Sequence, residues 1–322
     1  MSVLDQIIDR CRATRPRIVL PEGDDPRVRG AALRAQADGL ADIVLLSATD
    51  ASPPAGVEVI SPAAFGDVAR YGEAYFELRR AKGVSLDKAM EIAKTPLAFA
   101  ALMVRTGDAD GTLGGAVATT SDTVRTALQI IGRAPGVDTV SSSFLMLLAD
   151  PHNRPVIFAD CGLILQPTPQ EHASIALASA ETLSALTGEV PRIAFLSFST
   201  KGSVPEGAHE SLGRIKQAME IVAQKAPHLS VDGELQFDAA LVPDVAAKKA
   251  PDSPIAGAAN VFVFPSLSAG NIGYKIAQRL GHATALGPIL QGLAQPANDL
   301  SRGASAEDIY NMIAITGAQV RK

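Results

Sequence analysis

The sequence predicts an α/β protein made of two α/β units, and three observations support this class. Short apolar runs of strand length alternate with longer amphipathic segments of helix length. The 322 residues suit two domains or one large one. A hydrophobic fraction of 47% provides ample side chains for a core. The chain shows no internal repeat and no low-complexity linker.

The first half of the chain begins with a predicted helix, followed by an apolar strand over 17–21. A helix over 26–37 comes next, and Pro26 favours its first turn because the fixed φ of proline suits that position. The further predictions here are a strand over 42–46, helices over 62–82 and 85–105, a strand over 112–117 and a helix from Ser121.

A strand over 140–148 is predicted to open the second unit. The other predicted strands are 155–160, 192–197 and 260–265, each between helices, which cover 168–187, 206–225 and 270–280. A final helix over 305–319 has Ser305 as its cap and Asp308 at its third position. The predicted boundaries, near Asp138 and 291–295, give one unit of residues 1–137 plus 294–322 and another of residues 138–293.

Composition argues against nucleic-acid and membrane partners. The formal net charge is −5, whereas a nucleic-acid-binding protein needs a basic surface. No run of 18 apolar residues is present. The N-terminus lacks the basic start and apolar centre of a signal peptide, so we expect a cytoplasmic protein.

Cysteine and histidine usage predicts neither a disulfide nor a metal site. Cys11 and Cys161 lie far apart, and the five histidines form no cluster with ligand spacing. No G-x-G-x-x-G motif supports a nicotinamide or flavin. We therefore expect no tightly bound cofactor.

The most informative stretch runs from Gly292 to Gly303 and continues into the last helix. It places the hydroxyl of Ser301 and the guanidinium of Arg302 among turn-forming residues, with Asp308 in the helix that follows. Such a set can bind an oxyanion and move a proton. The alternative is a capped surface helix with Arg302 in an ordinary ion pair.

Five segments, in the same order along the chain, resemble the phosphate acetyltransferase (phosphotransacetylase) family. One is Asn298-Asp299-Leu300-Ser301-Arg302-Gly303. The others are residues 115–125, 197–203, 232–240, and 264–265 followed by 270–275, so the resemblance extends over most of the chain. The sequence departs from the family pattern after Cys161, where Gly162-Leu163-Ile164 replaces an Asn-Pro type turn.

The resemblance implies two α/β domains with an active site in the interdomain cleft, an isocitrate/isopropylmalate dehydrogenase-like architecture, and a homodimer. It also implies reversible acetyl transfer between acetyl phosphate and coenzyme A, with inorganic phosphate as the other product. Coenzyme A is then a substrate. Its thiolate would attack directly in a ternary complex, since no activated Ser or Cys is evident.

Catalytic roles follow from the same resemblance. Arg302 would hold acetyl phosphate, because its planar fork can bind two phosphate oxygens at once. Ser301 would donate a hydrogen bond to the reacting carbonyl or to phosphate, and Asp308 would accept the thiol proton. The alternatives are a turn hydrogen bond for Ser301 and a helix cap for Asp308.

The pKa values of the free groups constrain the base. A free thiol, with a pKa near ~8.5, and a free Asp, with a pKa near ~3.9, make complete proton transfer uphill by roughly 6 kcal/mol. The role of Asp308 therefore needs desolvation, a thiolate stabilised by cations, or transfer concerted with attack.

The resemblance also suggests substrate-binding residues in the first unit. Arg125 follows Thr120 and Ser121 at a helix start, where amides and hydroxyls favour an anion, and it would bind substrate phosphate or coenzyme A. Arg79 matches the position of another family arginine, which is linked to coenzyme A. Arg79 and Arg80 are neighbours on a polar helix, so the alternative for one of them is an ordinary solvated side chain.

Two sets in the second unit are further candidates. Asn271 and Lys275 are predicted after a strand and at a helix opening, although the glycine–lysine spacing is not that of a P-loop. The second set follows a strand end, where α/β sheets bind ligands: Ser199, Thr200 and Lys201.

Three alternative functions stay open at this point. One is a phosphate acyltransferase for longer chains such as butyryl. Another is a non-catalytic domain that senses acyl-coenzyme A, which resembles domains fused to malic enzymes. The third is a decarboxylating dehydrogenase of the isocitrate type, which would need a metal held by several carboxylates.

Overall fold

The computed structural model describes residues 1–48, 56–205, 207 and 209–320. The chain divides into unit 1, Met1–Pro135 with Leu293–Lys322, and unit 2, Gly136–Gly292. Each unit contains one β-sheet with helices packed on it. No helix in these described ranges combines the length and apolar character needed to cross a membrane.

The secondary structure is given in chain order. The strands are β1 (Arg17–Leu20), β2 (Asp42–Leu46), β3 (Glu58–Ile60), β4 (Gly111–Gly114), β5 (Ser141–Leu147), β6 (Pro155–Ala159), β7 (Arg192–Leu196), β8 (Ser230–Leu235), β9 (Val261–Val263), β10 (Thr284–Gln291) and β11 (Ala297–Asp299). The helices are α1 (Val3–Thr14), α2 (Pro26–Ala37), α3 (Val68–Arg79), α4 (Leu86–Ala93), α5 (Pro96–Thr106), α6 (Thr120–Ile130), α7 (Pro169–Thr187), α8 (Glu210–Lys225), α9 (Phe237–Leu241), α10 (Pro243–Lys249), α11 (Leu267–Arg279) and α12 (Ala306–Ala318).

Unit 1 is built on a parallel sheet with the strand order β11-β4-β1-β2-β3. The central strands are apolar because helices cover a parallel sheet on both faces. Ile18, Val19 and Leu20 of β1 are fully buried. The parallel arrangement places the carboxyl ends of β1, β4 and β11 at the same edge.

Unit 2 has a mixed sheet with the order β10-β5-β6-β9-β7-β8. β5 pairs antiparallel with both β10 and β6, whereas β6, β9, β7 and β8 are mutually parallel where they pair. Phe144, Phe158 and Phe262 belong to its core. The α/β class that the alternating pattern predicted is confirmed in both units.

Several elements follow the sequence predictions closely. α2 and β2 have the predicted bounds, and β1 ends one residue early. α12 begins with the predicted capping box between Ser305 and Asp308. Residues 206 and 208, which fall in the helix predicted over 206–225, lie outside the described residues.

Two helix predictions are wrong in their extent. The segment predicted as one helix over 85–105 forms α4 and α5, separated before Pro96. Proline has no N–H and disfavours a helical conformation in the residue before it, so Thr95 is extended and occupies the N-cap position of a new helix. The helix predicted from 62 begins at Val68 and ends in a short 3-10 turn over Arg80–Lys82.

Candidate active site

The loops after β1, β4 and β11 meet at one edge of the unit 1 sheet. Asp299, the last residue of β11, pairs with Gly114, the last residue of β4. Ligands bind preferentially outside the carboxyl ends of strands in open parallel sheets. This pairing brings the loop that carries Ser301 and Arg302 to the strand end that leads into α6.

Arg302 presents its side chain to solvent. Its guanidinium forms no ion pair with any residue in the described ranges, so the surface ion-pair alternative finds no partner there. Its backbone carbonyl accepts a hydrogen bond from Arg27 Nη1 at 2.7 Å. Ser301 is also exposed, and its Oγ accepts a bond from the Gly303 amide at 3.2 Å. The side chain of Arg302 is therefore accessible while its backbone is held.

Asp308 is part of the cap of α12. Its Oδ2 accepts bonds from the Ser305 amide at 2.9 Å and from Ser305 Oγ at 2.8 Å. The Asp308 amide in turn donates to Ser305 Oγ at 3.1 Å. The helix-capping role is therefore present, and it occupies only one of the two carboxylate oxygens.

The start of α6 exposes the predicted side chains of Thr120, Ser121 and Arg125. Thr119 caps this helix by accepting a bond from the Asp122 amide at 3.1 Å. Arg125 forms an ion pair with Asp122 on the same helix and is 58% exposed. An exposed pair of this kind contributes little to stability, so an anionic ligand could replace it at low cost.

Arg79 and Arg80 have different environments. Arg80 is exposed and pairs with Glu77 at 3.2 Å, as expected for a solvated helix face. Arg79 is partly buried, and its buried Nε has no hydrogen-bond partner within the described part of the chain. A solvated helix face therefore accounts for Arg80 but not for Arg79.

The Ser199–Lys201 loop of unit 2 is hydrogen-bonded to the end of β8. Ser199 Oγ donates to Glu234 at 2.9 Å, and the Gln236 amide donates to Thr200 Oγ1 at 2.9 Å. Both hydroxyl residues are buried. Lys201 forms an ion pair with buried Asp232, and its own side chain is 39% exposed.

The segment from Gly270 to Lys275 does not open a helix as predicted. α11 begins earlier, at Leu267, with Ser266 as its cap. The Gly270 amide already donates to the Ser266 carbonyl at 3.1 Å, so the amides beyond it are used inside the helix. Asn271 Nδ2 donates to the Cys161 carbonyl at 3.0 Å, and Lys275 Nζ donates to Asn271 Oδ1 at 2.7 Å.

Neither cysteine is suited to nucleophilic attack. Both are buried thiols. Burial raises the pKa of Cys11 to about 12 and raises the pKa of Cys161 well above its usual value, and Asp160 adds to the latter shift. The described residues contain no cluster of three His, Cys, Asp or Glu side chains that could hold a metal ion.

Glu22 and Arg27 lie at the same strand edge and were missed by the sequence-based predictions. Glu22 accepts hydrogen bonds from the loop after β4, and Arg27 donates to the loops after β4 and β11. The available signal was the charged segment Pro21-Glu22-Gly23-Asp24-Asp25-Pro26-Arg27, directly after the first apolar strand.

Asp299 is a buried carboxylate beside the loop that carries Arg302. It is 0% exposed, and neither oxygen has a hydrogen-bond partner within the described ranges. Burial raises the pKa of Asp299 to about 6, and the nearby Glu22 acts in the same direction. Thr120 and Thr123 oppose the shift, but their hydroxyls lie outside hydrogen-bonding geometry. The site therefore contains an acid that is costly to ionise.

We predict that Asp299→Asn removes a pH-dependent cost to stability. The folded pKa of about 6 exceeds the ordinary value of 3.8, so the folded state binds this proton more tightly than the unfolded state does. The resulting stabilisation of the fold is fully present below pH 3.8. That contribution is lost as the pH rises to 6, which amounts to about 3 kcal/mol at neutral pH. The unfolding free energy of the variant minus that of wild type should therefore increase between pH 4 and 7.

Denaturant unfolding at several pH values measures this difference. Asp87→Asn, which changes an exposed acid of the same unit, is the matched control. Equal pH trends in the two variants would show that Asp299 carries no buried-charge penalty.

These features define a two-unit α/β protein with exposed arginines and hydroxyls at the carboxyl ends of parallel strands, an arrangement suited to an enzyme with an anionic substrate. The family model described as "Phosphate acetyl/butaryl transferase" matches residues 2–317. A "Phosphate acetyltransferase" of Paracoccus denitrificans is 52% identical over 325 residues, covering 100% of each chain.

Two solved structures are similar in both sequence and fold. A phosphotransacetylase from Streptococcus pyogenes has a TM-score of 0.91 at 44% identity, covering 99% of this chain and 98% of its own. The EutD phosphotransacetylase from Staphylococcus aureus has a TM-score of 0.87 at 41% identity, covering 99% of both chains. The chain therefore belongs to the phosphate acetyl/butyryl transferase family, and the predicted resemblance and transferase class are confirmed.

Proposed function

We propose that this transferase moves an acetyl group reversibly between acetyl phosphate and coenzyme A, with Arg302 on the phosphate and Asp308 as the base for the thiol. The observation that carries the proposal is the exposed guanidinium of Arg302, which has no ion-pair partner in the described ranges and whose backbone is fixed at the end of β11. A planar cation held in this way can donate hydrogen bonds to two phosphate oxygens side by side.

The chemical step is a direct displacement at the acetyl carbon. As the thiol proton moves to Asp308, sulfur forms a bond to the carbonyl carbon and a tetrahedral oxyanion develops. The carbon–oxygen bond to phosphate then breaks, and its electron pair leaves with the phosphate, whose charge Arg302 stabilises. Exposed Ser301 accepts a hydrogen bond from the Gly303 amide at Oγ, so its O–H can donate a hydrogen bond to this centre.

In this proposal the thiol proton moves to Asp308 at the same time as sulfur attacks the carbonyl carbon. Full transfer from a free thiol to a free carboxylate would be uphill by roughly 6 kcal/mol. Asp308 Oδ1 makes no hydrogen bond within the described residues and can receive the proton while Oδ2 remains in the cap.

We assign Arg125, Thr120 and Ser121 to substrate phosphate or coenzyme A, because their side chains are exposed at the start of α6. Arg79 is the further candidate for coenzyme A. In unit 2, we assign the exposed ammonium of Lys275 and the half-exposed Lys201 to the anionic coenzyme. Asn271 positions Lys275, and the buried Ser199 and Thr200 shape the loop of Lys201.

A thiol-consumption assay with purified protein, coenzyme A and acetyl phosphate, without added metal, tests the activity. We expect rapid thiol loss and a slower reaction with butyryl phosphate. A faster reaction with butyryl phosphate would reassign the acyl preference. Coenzyme A binding without thiol loss would identify a sensor domain.

We also infer a homodimer, supported by an exposed apolar row along α11 and its C-cap residue. Ile272, Ile276 and Leu280 recur every four residues and are 58%, 54% and 76% exposed. Such a row is costly in water and is suited to self-association. A sedimentation mass equal to one chain would contradict this inference.

We predict that Arg302→Gln lowers kcat/KM for acetyl phosphate by roughly 10²- to 10³-fold, because two charge-assisted hydrogen bonds are lost. Arg302→Lys should fall between this variant and wild type, since charge remains without the fork. Steady-state kinetics measures the effect. Arg80→Gln, at an exposed arginine paired with Glu77, is the control and should retain activity. Similar values for Arg302→Gln and wild type would remove Arg302 from the phosphate site.

We predict that Asp308→Asn lowers kcat by roughly 10²-fold or more, the usual effect of losing a general base. Ser305→Ala separates this role from capping, because it weakens the cap by about 1 kcal/mol and leaves the carboxylate in place. Turnover should therefore fall much further in Asp308→Asn than in Ser305→Ala when both are assayed below their melting temperatures. Wild-type turnover in Asp308→Asn would exclude the base role.

A further inference from the structure

The loop between β1 and α2 holds the backbone of two other loops of unit 1. Glu22 Oε2 accepts a hydrogen bond from the Ala116 amide at 2.7 Å. Its Oε1 accepts bonds from the amides of Val117 at 3.0 Å and Ala118 at 2.7 Å. One carboxylate thus fixes three successive amides immediately before Thr119, the cap of α6.

Arg27 makes the corresponding contacts to backbone carbonyls. Its Nη1 donates to the carbonyls of Arg302 at 2.7 Å and Ala304 at 3.0 Å, and its Nη2 donates to the Ala116 carbonyl at 2.9 Å. The remaining donors bind Asp25, from Nε at 3.1 Å and from Nη2 at 2.8 Å. All five N–H groups of the guanidinium are used, so none is left for a ligand.

Ala116 is where the two sets of contacts meet. Its N–H donates to Glu22 and its carbonyl accepts from Arg27, so both polar groups of this residue are held by the same loop. Asp25 holds the base of Arg27, because it caps α2 by accepting from the Arg27 amide at 2.8 Å. The Arg27 guanidinium therefore links the backbone of Arg302 to the loop that leads into α6.

We propose that Arg27 is a positioning residue for acetyl transfer: it sets the place of the Arg302 backbone relative to the start of α6, which carries Thr120, Ser121 and Arg125. This inference rests on the proposed role of Arg302 as the phosphate ligand. A displacement of about 1 Å in a substrate-binding group can cost on the order of 10²-fold in rate.

Lysine cannot replace arginine in this role. The guanidinium reaches three carbonyls and one carboxylate because its donors diverge in a plane, whereas an ammonium has three donors on one atom. Arg27→Lys retains the charge beside Asp25, so folding is less affected than in Arg27→Ala. We expect kcat/KM for acetyl phosphate to fall roughly 10- to 100-fold in Arg27→Lys and further in Arg27→Ala.

Arg34→Ala is the matched control for Arg27→Ala. Arg34 lies on the same helix, and its guanidinium forms an ion pair with Glu307 and stacks 3.9 Å from the Tyr310 ring, so it also links α2 to the C-terminal region. It has no hydrogen bond to the 302–304 carbonyls in the described structure. We expect Arg34→Ala to change the melting temperature but to retain kcat/KM below that temperature.

Chemical rescue distinguishes positioning from a general loss of stability. Guanidinium ion added at low millimolar concentration should restore part of the activity of Arg27→Ala and none in Arg302→Gln. Wild-type kcat/KM in Arg27→Lys, or equal activity losses in Arg27→Ala and Arg34→Ala without rescue, would overturn the inference. Wild-type activity in Arg302→Gln would instead overturn the role of Arg302 as the phosphate ligand. If Arg302→Gln loses activity and Arg27→Lys does not, only the positioning role of Arg27 is overturned.

Discussion

The parallel pairing of β11 with β4 is the constraint on which the candidate site depends. It joins residues 297–299 to residues 112–114, although about 180 residues separate them in sequence. The pairing needs close backbone contact. A Cβ at Gly111 would lie 3.2 Å from the Pro296 carbonyl oxygen, and one at Gly115 would lie 2.8 Å from the Leu300 amide nitrogen. Gly115 also has φ +103°, a conformation that favours glycine. Asn298 reinforces the pairing by donating to Thr316 Oγ1 at 3.0 Å.

This arrangement changes which groups can bind an anion. The start of α6 was expected to offer backbone amides, yet Glu22 occupies the three amides that precede the helix cap. Buried Asp299 adds a second acid nearby. These three amides are therefore not free for a phosphate, whereas the side chains of Arg125 and Arg302 are exposed at the same edge. Glu22 thus fixes the loop before α6 and is not itself a ligand for the anion.

The sequence predicted the elements whose formation is local. β1 and β2 are dense apolar runs, and Pro26 marks the start of α2. β11 was not predicted because Ala-Asn-Asp has no apolar run and becomes a strand only by pairing with β4. β8 and β10 were missed as well. Each contains glycine or polar residues within the strand, which weaken a periodic signal.

The same distinction applies to the site. Ser301, Arg302 and Asp308 could be predicted because they lie in one short segment with a recognisable motif. Glu22 and Arg27 were missed. The charged segment over 21–27 marks a polar loop, but the partners of these side chains are backbone groups remote in sequence, which no motif identifies. The helix predicted to begin at Gly270 begins earlier for a local reason, because Ser266 caps it.

Asp308 shows how a structural and a chemical role can share one side chain. The capping box fixes the carboxylate through Oδ2, which orients Oδ1 and lowers the entropy cost of placing a base. A free carboxylate is a much weaker base than a thiolate, so a separate deprotonation of the thiol would be unfavourable. An oriented Oδ1 can instead receive the proton while sulfur bonds to the carbonyl carbon, because the charge on sulfur is then used as it forms. The capping box supplies the fixed geometry that such a concerted step needs.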